Sequence, residues 1–473
     1  MSRSLLALLA ATSLSLASPL AYEQFPLNDA PQSLLWNKTP LPLTNATRSF
    51  WIDTPGANPL AKEGSTGQLT HSADVCIIGS GISGISAAYE LSKEPGLNLA
   101  VFEARGFCSA ATGRNGGHLT RYIFQDFIAI AAKYGIEQAK VGYQLENYTM
   151  NAIVKLIEDE GWAEAVDLVH GGHTSLVMTD ANYAKSKADF EAARLAGAPV
   201  DSVTWYTAAQ MHEKFGTHYP AFTFDAYNLW PLKFVTKLFG LAKKNLLASS
   251  GSLTLHTHTP VTEVVQAGEA WEVVTPRGST ACKYVLHTTN AYAGHLLPSM
   301  SGPNGIIPTR GQVMAVRSRN TTMSSWTNTG GEYWFPRPGD DHENPLVILG
   351  GGRLQGGNSH LIRDDVIDPV VSEYLQDFLP EVFETEKHEP EMEWTGIMGY
   401  TKSHDPFVGP LEPLEGQNAK GQYISAGFHG HGMPRTFSSA QAVARLILAD
   451  IKEEEWEQPS WLPDRYLTWN RVL

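Results

Sequence analysis

A short glycine-rich segment is the first part of the chain whose residue types and spacing can do chemistry. Residues 79–84 read G-S-G-I-S-G and lie between a β-prone apolar run at 74–78 and a segment with apolar residues at helical spacing. At such a strand–turn–helix junction, Gly79 allows a tight turn, Gly81 lets the main chain approach a phosphate group, and Gly84 permits close contact between helix and strand. Because a helix N-terminus offers free N–H groups to an anion, the segment indicates a binding site for the diphosphate of a dinucleotide.

A second strand supplies the other half of a dinucleotide site. Residues 97–102 are β-prone and lead directly into Glu103, which lies 19 positions after Gly84. An acidic side chain at that place accepts hydrogen bonds from a ribose diol and repels a 2′-phosphate, so an NADP-type ligand is disfavoured. The alternative is a glycine-rich turn beside an unrelated surface glutamate. That alternative does not explain why the two segments have the spacing of a dinucleotide site.

Further segments resemble a known enzyme family. Residues 108–118 read C-S-A-A-T-G-R-N-G-G-H and follow E-A-R at 103–105. Here the chain is similar to the D-amino-acid-oxidase-like FAD-dependent oxidoreductases, and most similar to their γ-glutamylputrescine-oxidase-like subgroup of fungi and bacteria. The resemblance spans about residues 48–450 and includes T-N-A-Y at 289–292, R-G-Q at 310–312, E-W-T-G-I-M-G-Y at 393–400 and G-F-H-G-H-G-M-P at 427–434.

The resemblance implies that FAD, rather than NAD, occupies the dinucleotide site, without a covalent link. FAD is the longer ligand, so several separated segments must meet it. A helix N-terminus after 427–433 would stabilise the negative charge of the reduced flavin. The glycine motif and the resemblance together assign FAD binding to Gly79, Gly81, Ile82, Ser83, Gly84, Glu103, Ala104, Arg105, Thr112, Gly113, Arg114, Asn115, Gly116, Gly117, Val261, Asn290, Gly427, Gly430, His431, Gly432 and Met433.

The reaction that the resemblance implies is the oxidation of a C–N bond. A neutral amine loses hydride to the flavin, and the resulting imine is hydrolysed. His118, His431 and Tyr400 would lie near the flavin, and we predict that they are the catalytic residues. A histidine can hold a proton near neutral pH and so assist amine deprotonation or oxygen reduction. The alternatives are that the histidines brace their loops and that Tyr400, like Trp394, is packed in the core.

The predicted substrate class follows from a departure from the family pattern. Relatives that act on α-amino acids commonly place an arginine in the segment where this chain has Met398, and sarcosine-oxidase-like relatives have a flavin-linking cysteine there. A thioether neither pairs with a carboxylate nor links to the flavin. Pro434 replaces a basic residue of the same relatives. We therefore expect noncovalent FAD and an amine without an α-carboxylate, unless Arg435, Arg310 or Arg353 restores an anion site.

Three hypotheses about function remain open at this point. The first is a secreted FAD-dependent oxidase of an amine or amino-acid-like substrate, with O2 as acceptor and H2O2 as product. The second is a flavin dehydrogenase with a quinone or protein acceptor, and the third is a flavin-binding protein without turnover. The oxidase is favoured because an exported enzyme meets oxygen and no obvious electron carrier. No protein partner is inferable.

Composition and motif content exclude other classes. The chain has 473 residues and a formal net charge of −14, which argues against a nucleic-acid partner because phosphate binding requires a basic face. After the N-terminus, no apolar run reaches the roughly 18 residues that a membrane span requires. His173, His256 and His258 lack metal-ligand spacing, so no metal is predicted. The absence of G-x-S-x-G and H-E-x-x-H leaves hydrolase functions without support.

Residues 1–21 have the features of a secretory signal peptide. Arg3 gives a positive start, 5–16 is a short apolar stretch, and small residues make Ala17 or Ala21 a cleavage site. A buried first helix is the alternative. Export would make the protein secreted and glycosylated, with the N-x-S/T acceptors Asn37, Asn45, Asn147 and Asn320.

The cysteines allow one disulfide in an oxidising compartment. Such a bond would leave one of Cys76, Cys108 and Cys282 unpaired. Because Cys76 and Cys282 lie in apolar strand patterns, we expect burial as small hydrophobic side chains rather than pairing.

The expected fold is α/β with two domains. A discontinuous Rossmann-like FAD-binding domain accompanies a substrate domain built on a mostly antiparallel sheet. Helical patterns at about 125–165 and 180–215, and strand patterns within 253–275 and 310–352, separate the FAD segments. The predicted units are a signal peptide at 1–21, an N-terminal arm at 22–72, the FAD domain at 73–125, 250–300 and 393–455, the substrate or cap domain at 126–249 and 301–392, and a C-terminal tail at 456–473.

Overall fold

The computed structural model describes residues 38–319, 324–339, 341, 343–356, 361–413 and 418–471. The predicted signal peptide with its cleavage sites and the acceptors Asn37 and Asn320 lie outside the described residues. Among the helices of the described ranges, none combines the length and the hydropathy that a membrane crossing requires.

Helices and strands alternate along the chain. The helices are α1 (Phe50–Asp53), α2 (Ile82–Leu91), α3 (Phe127–Tyr134), α4 (Ile136–Asp159), α5 (Asp180–Leu195), α6 (Ala208–Phe215), α7 (Pro231–Ala248), α8 (Pro369–Phe383) and α9 (Met433–Lys452). The strands are β1 (Ser72–Ile78), β2 (Asn98–Phe102), β3 (His118–Leu119), β4 (His173–Leu176), β5 (Thr204–Tyr206), β6 (Ala221–Phe224), β7 (Tyr227–Asn228), β8 (Ser252–His256), β9 (Glu263–Ala267), β10 (Ala270–Thr275), β11 (Gly278–His287), β12 (Ile307–Arg317), β13 (Ser325–Asn328), β14 (Tyr333–Pro336), β15 (Leu346–Gly351), β16 (Met392–Tyr400), β17 (Phe407–Pro410) and β18 (Gln422–Ala426).

The first sheet is the scaffold of the glycine-rich turn. Its strand order is β17-β18-β11-β1-β2-β8, and β10 and β9 extend it from β11. The strands from β18 to β8 run parallel, while β17, β10 and β9 pair antiparallel. Val75, Cys76 and Ile77 of β1 are fully buried. A central parallel strand is covered on both faces, which explains why β1 is a continuous apolar run in the sequence.

The second sheet is mostly antiparallel. Its order is β16-β12-β15-β14-β13-β4-β6-β5, and only the β13–β4 pair among these neighbours is parallel. A separate two-stranded ribbon of β3 and β7 follows the R-N-G-G-H segment. The two sheets confirm the predicted α/β fold with an antiparallel second sheet.

Helices α2, α7 and α9 contact strands of the first sheet. α2 packs against both α7 and α9, and α9 also packs against α4. Ala440, Val443, Ala444 and Ile447 of α9 are completely buried, as their spacing predicts. This packing holds the N-termini of α2 and α9 in one structure.

Two elements depart from the predicted domain boundaries. β16, which was assigned to the FAD domain, pairs with β12 in the second sheet, from Ile307 opposite Tyr400 to Ala315 opposite Met392. α7, which was assigned to the substrate domain, packs on α2. Motifs give the order of segments along the chain but not the sheet or layer that each joins. The remaining boundaries stay predictions.

The expectation of unpaired cysteines is wrong for two of the three. Cys76 on β1 and Cys282 on β11 form a disulfide. They are 206 positions apart, and only the parallel pairing of β1 with β11 brings them together. Cys108 is a buried free thiol, as expected, and burial raises its pKa well above the ordinary value.

The described part of the N-terminal arm, residues 38–71, lies against the segment that follows β2. Trp51 is fully buried and its Nε1 donates to the carbonyl oxygen of Asn115. Asn58 Nδ2 donates to the carbonyl oxygen of Phe107 (2.9 Å). Trp51 therefore anchors the arm beside the R-N-G-G-H segment.

Candidate functional site

A cavity of about 380 Å³ contains most of the predicted site residues. Its wall includes the turn after β1, the end of β2, and the N-terminus of α9. Residues of β12, β13 and β16 in the second sheet line the same space. The cavity thus joins the glycine-rich turn to the second sheet.

The turn between β1 and α2 leaves no room for a side chain at Gly79 or Gly84. Gly79 has φ +115°, and a Cβ there would lie 2.8 Å from the carbonyl oxygen of Thr288. A Cβ on Gly84 would lie 2.0 Å from the carbonyl oxygen of Gly79, which is the close helix–strand contact that the motif predicts. Gly81 caps α2 and lines the cavity. The bare main chain at the helix end suits an anion.

Glu103 stands at the cavity wall in a fixed position. Its Oε2 accepts hydrogen bonds from Ser80 N (3.1 Å) and Ser80 Oγ (2.7 Å), and its Oε1 accepts one from Arg105 N (3.0 Å). Ala104 and Val261 line the cavity beside it. These bonds orient the carboxylate before any ligand binds.

The segment after β2 contacts α2 through a side-chain hydrogen bond, and Gly116 in this segment packs against a side chain of the second sheet. Thr112 Oγ1 accepts a hydrogen bond from Ile82 N (3.1 Å), and Asn115 Oδ1 accepts one from Gly117 N (2.8 Å). A Cβ on Gly116 would lie 2.4 Å from Tyr333 Cε2. The segment therefore passes close to both α2 and the second sheet.

The two arginines of this region are structural braces. Arg114 lines the cavity, but its Nε donates to the carbonyl oxygen of Ser109 and its Nη1 to that of Thr395 (both 2.9 Å). Burial lowers the pKa of Arg114 to about 10. Arg105 lies outside the cavity wall and pairs with Asp364 (2.7 Å).

The loop before α9 forms another side of the cavity. Its residues 430–434 line the space, and glycine at the N-cap, Gly432, leaves the helix end free of a capping side chain. Gly430 has φ +71°, and a Cβ there would lie 2.5 Å from Tyr400 Oη. Asn290 Oδ1 accepts a hydrogen bond from Gly427 N (2.9 Å) and ties the loop to the first sheet.

His118 lines the cavity, and both of its ring nitrogens lie close to carbonyl oxygens. Nδ1 lies 3.1 Å from the carbonyl oxygen of Gly116, and Nε2 lies 3.2 Å from that of Trp334. Burial lowers its pKa to about 4, so the ring is neutral at neutral pH. The bracing alternative fits this geometry. His173, next to it, is held by the hydroxyls of Ser325 (2.7 Å) and Thr327 (2.9 Å).

His431 lines the cavity and belongs to a buried charge cluster. Its Nε2 lies 3.0 Å from Glu146 Oε2, and Arg435 Nε donates to Glu146 Oε1 (2.8 Å). Burial alone would raise the pKa of Glu146, but His431 and Arg435 lower it to about 2. Burial lowers the pKa of His431, against the opposing effect of Glu146. The ionised carboxylate orients the imidazole, which stacks on Tyr122 at 3.9 Å between ring centroids.

Tyr400 stands one residue behind the cavity wall. It is buried, and its hydroxyl accepts a hydrogen bond from Arg353 Nη1. Arg353 itself lines the cavity. Trp394, by contrast, is fully buried away from the cavity, where its Nε1 donates to the carbonyl oxygen of Arg114 (2.9 Å).

Arg310 and Arg435 are occupied by carboxylates. Arg310 Nη2 lies 3.2 Å from Asp368 Oδ2, and Arg435 pairs with Glu146. Neither therefore supplies the anion site that the sequence left open. Met398 does line the cavity, as the predicted departure from the family pattern requires.

Further charged residues line the cavity. Lys185 contacts Asp126 and Asp189, the latter at 3.3 Å. Burial raises the pKa of Asp189 to about 6. Glu332, from the second sheet, accepts a hydrogen bond from Asn328 Nδ2 (2.7 Å). All of these residues line the cavity, so polar ligands are accommodated there.

Most predicted site residues meet at this cavity. Those that line it are Gly79, Gly81, Ile82, Ser83, Glu103, Ala104, Thr112, Arg114, Asn115, Gly116, His118, Val261, Asn290, Gly430, His431, Gly432 and Met433. Those that do not are Gly84, Arg105, Gly113, Gly117, Gly427 and Tyr400, which act in packing, turns and bracing.

The sequence analysis did not identify several residues at the site, and Glu146 and Arg121 are two of them. Glu146 is a charged residue on the buried face of α4, between the buried residues Leu145 and Thr149. A charged residue at a buried position of a helix could have identified it as a functional candidate. Arg121 lies three positions after His118 in the same segment and also lines the cavity. Nothing in its spacing distinguished it from a surface arginine.

The cavity fits a dinucleotide on structural grounds. The turn at 79–84, which we call the cradle, has an open helix N-terminus at Gly81 that a side chain would obstruct. Glu103 is held at the edge of this turn. Thr289 Oγ1 is buried at the wall without a hydrogen-bond partner among the described residues, so it remains available to a ligand. Helix N-termini face the cavity from α2 and α9. The residues present therefore suit FAD.

Comparisons with known proteins agree with this fit. The family model of FAD dependent oxidoreductases (DAO) matches residues 74–446. Gamma-glutamylputrescine oxidoreductase of Escherichia coli (strain K12) is 23% identical over 406 residues, which are 80% of this chain and 84% of that protein.

Solved structures share the fold. L-proline dehydrogenase from P. horikoshii superposes with a TM-score of 0.63 at 20% identity and covers 84% of this chain and 98% of its own. Glycine oxidase from Geobacillus kaustophilus gives a TM-score of 0.60 at 18% identity, with 82% and 97% covered. The match to the family model spans well over half of the chain, and its cofactor suits the cavity: the protein belongs to the DAO family of FAD-dependent oxidoreductases.

Proposed function

We propose that the protein is a secreted amine oxidase that converts an amine, O2 and water into an aldehyde, an amine or ammonia, and H2O2. The carbon–hydrogen bond next to nitrogen breaks with its electron pair, and the nitrogen loses a proton. FAD held by the turn at 79–84 and by Glu103 would supply the redox chemistry for this hydride transfer. Water then attacks the imine, and O2 takes up two electrons and two protons.

The single observation that carries this proposal is the shared cavity. The cradle for a dinucleotide and a polar space lined by the second sheet are continuous there. A substrate in that space lies against the ligand of the glycine-rich turn and is partly shielded from water. The relative named gamma-glutamylputrescine oxidoreductase supports an amine as substrate class.

His431 is the group that we assign to proton transfer. Its Nε2 faces the ionised Glu146, so the hydrogen stays on Nε2 and Nδ1 keeps its lone pair. In the described ranges, Nδ1 has no hydrogen-bond partner, so it remains free to accept the proton of a substrate ammonium group. His118, with both nitrogens near carbonyl oxygens, is assigned to bracing.

Noncovalent attachment of FAD is supported by the residue types at the site. Met398 stands where related enzymes have a linking cysteine, and Cys108 does not line the cavity. The two other cysteines are in a disulfide.

Export is supported by one structural feature, and a second bears on which acceptor would be glycosylated. The disulfide between Cys76 and Cys282 is typical of proteins that fold in an oxidising compartment. The acceptor Asn45 is exposed in a turn, whereas Asn147 is half-buried in α4. Glycosylation at Asn45 rather than Asn147 is therefore part of the proposal.

The proposed function is tested on purified holoprotein with a series of amines. γ-Glutamylputrescine, simple diamines and amino acids are mixed anaerobically with the protein, and flavin absorption near ~450 nm is followed. We expect bleaching by at least one amine and, after O2 is admitted, one H2O2 per turnover. The N,N,N-trimethyl analogue of the active amine is the matched control, because its nitrogen cannot lose a proton.

Each other outcome identifies a rival function. Bleaching that is reversed by a quinone but not by O2 would show a dehydrogenase. A flavin that no amine in the series bleaches would show a flavin-binding protein without this turnover.

A further inference from the structure

Arg121 is a buried cation in the wall of the cavity. It follows the ribbon strand β3 by two positions, and only 8% of the residue is exposed. It lines the same cavity as Gly81 and Gly432. Its side chain therefore stands in the space that a substrate shares with the cofactor cradle.

The guanidinium of Arg121 has no protein partner in the described ranges. It takes part in none of their hydrogen bonds or ion pairs, and its Nε is buried without a partner. Nearby carboxylates are committed elsewhere: Asp225 contacts His170, and Glu146 holds both His431 and Arg435. Burial lowers the pKa of Arg121, against the opposing effect of the charges on Asp225 and Glu146.

Arg114 shows what a structural arginine at this cavity looks like. It also lines the wall, and its nitrogens donate to the carbonyl oxygens of Ser109 and Thr395 and to Thr47 Oγ1. Arg121 has no such set of acceptors. A buried guanidinium that folding leaves unpaired is suited to an anion that arrives with a ligand.

We propose that Arg121 binds a carboxylate of the amine substrate and so selects amines that carry an anionic group. The inference rests on the proposed amine oxidation. The planar guanidinium matches a carboxylate with two parallel hydrogen bonds. Met398, on β16, cannot supply such bonds, whereas Arg121 lies next to the ribbon and can.

The test compares two substrates that differ by one carboxylate. γ-Glutamylputrescine and N-(4-aminobutanoyl)putrescine have the same chain, and only the first carries the carboxylate. For the wild-type holoenzyme we expect kcat/KM to be about 10- to 100-fold higher with the carboxylated amine. This is the effect of a charge-assisted hydrogen bond that the amine without the carboxylate cannot make. Arg121→Gln should remove this preference, and Arg121→Lys should keep part of it.

A binding measurement makes the test independent of turnover. Glutarate is titrated calorimetrically into the holoenzyme, and its Kd should rise about 10- to 100-fold in Arg121→Gln. Arg48→Gln is the matched control, because Arg48 is exposed and the change of charge is the same. Arg121→Lys keeps the result interpretable if Arg121→Gln folds poorly.

Several results would overturn the proposal for Arg121. Glutarate that does not bind the wild type, or binds Arg121→Gln equally well, would do so. Loss of FAD from Arg121→Gln with an unchanged preference between the two amines would assign Arg121 to the cofactor instead. If wild type oxidises neither amine but glutarate binding depends on Arg121, the proposed oxidation of these amines fails while the anion site stands.

Discussion

At the scale of single residues, the cavity separates two histidines with different surroundings. The imidazole rings of His118 and His431 both line the cavity. His118 is held between two carbonyl oxygens, whereas His431 faces a carboxylate that stays ionised. A base needs a nitrogen with a free lone pair and a neighbour that stabilises the charge it acquires. Only His431 of the two meets both conditions.

Replacing His431 by Asn should slow flavin reduction by the active amine about 100- to 10,000-fold, the range for loss of a general base. Anaerobic stopped-flow absorption measures this rate. Because burial lowers the pKa of His431, the wild-type rate should fall only when the pH drops below about 6.5, the ordinary histidine value.

The control for this substitution is His429→Asn in the same loop. His429 accepts a hydrogen bond from Thr401 N and does not line the cavity. An equal loss of rate in both variants would contradict the assignment of His431.

At the scale of elements, the β1–α2 turn is the part whose geometry tolerates least change. Gly79 and Gly84 let the strand, the helix and Thr288, which follows β11, approach closely, and Gly81 leaves the helix N-terminus open. A side chain at the N-cap would occupy the space in which a diphosphate lies.

Gly81→Val should abolish retention of FAD, because its side chain enters the cavity and presses on Thr112, whose Oγ1 lies 3.1 Å from the Cβ position. The ratio of flavin to protein absorption after purification measures this, and we expect the Kd for FAD to rise more than about 100-fold. Gly240→Val on α7 adds the same side chain at an exposed position with nothing within 4 Å and should stay yellow. A yellow Gly81→Val protein would refute the cradle.

At the scale of the whole molecule, one covalent bond joins distant parts of the chain. The Cys76–Cys282 disulfide links β1, which leads into the glycine-rich turn, to β11, which precedes Thr288 and Asn290, across 206 positions. Such a long loop loses much conformational entropy in the unfolded state when it is closed.

Changing both cysteines to Ala should lower the free energy of unfolding by about 2–5 kcal/mol, measured by urea denaturation. Cys108→Ala is the control, because it removes a buried cysteine side chain and leaves the Cys76–Cys282 disulfide intact. In denaturant, the exported wild-type protein should show one reactive thiol before reduction and three after it. Three thiols before reduction would contradict the disulfide, and a mass that retains residues 1–21 would contradict the proposed export.

The glycine motif, Glu103 and the R-N-G-G-H and G-F-H-G-H-G segments were sufficient to predict the family, the cofactor and part of the residues that line the cavity. Local chemistry decides them: a turn against a diphosphate requires glycine, and a ribose diol requires an acid, wherever the rest of the chain runs. The tertiary structure alone decided that Cys76 meets Cys282, that β16 joins the second sheet, and that Glu146 lies between His431 and Arg435. Those contacts join residues far apart in the chain, and only packing determines which of many buried side chains become neighbours.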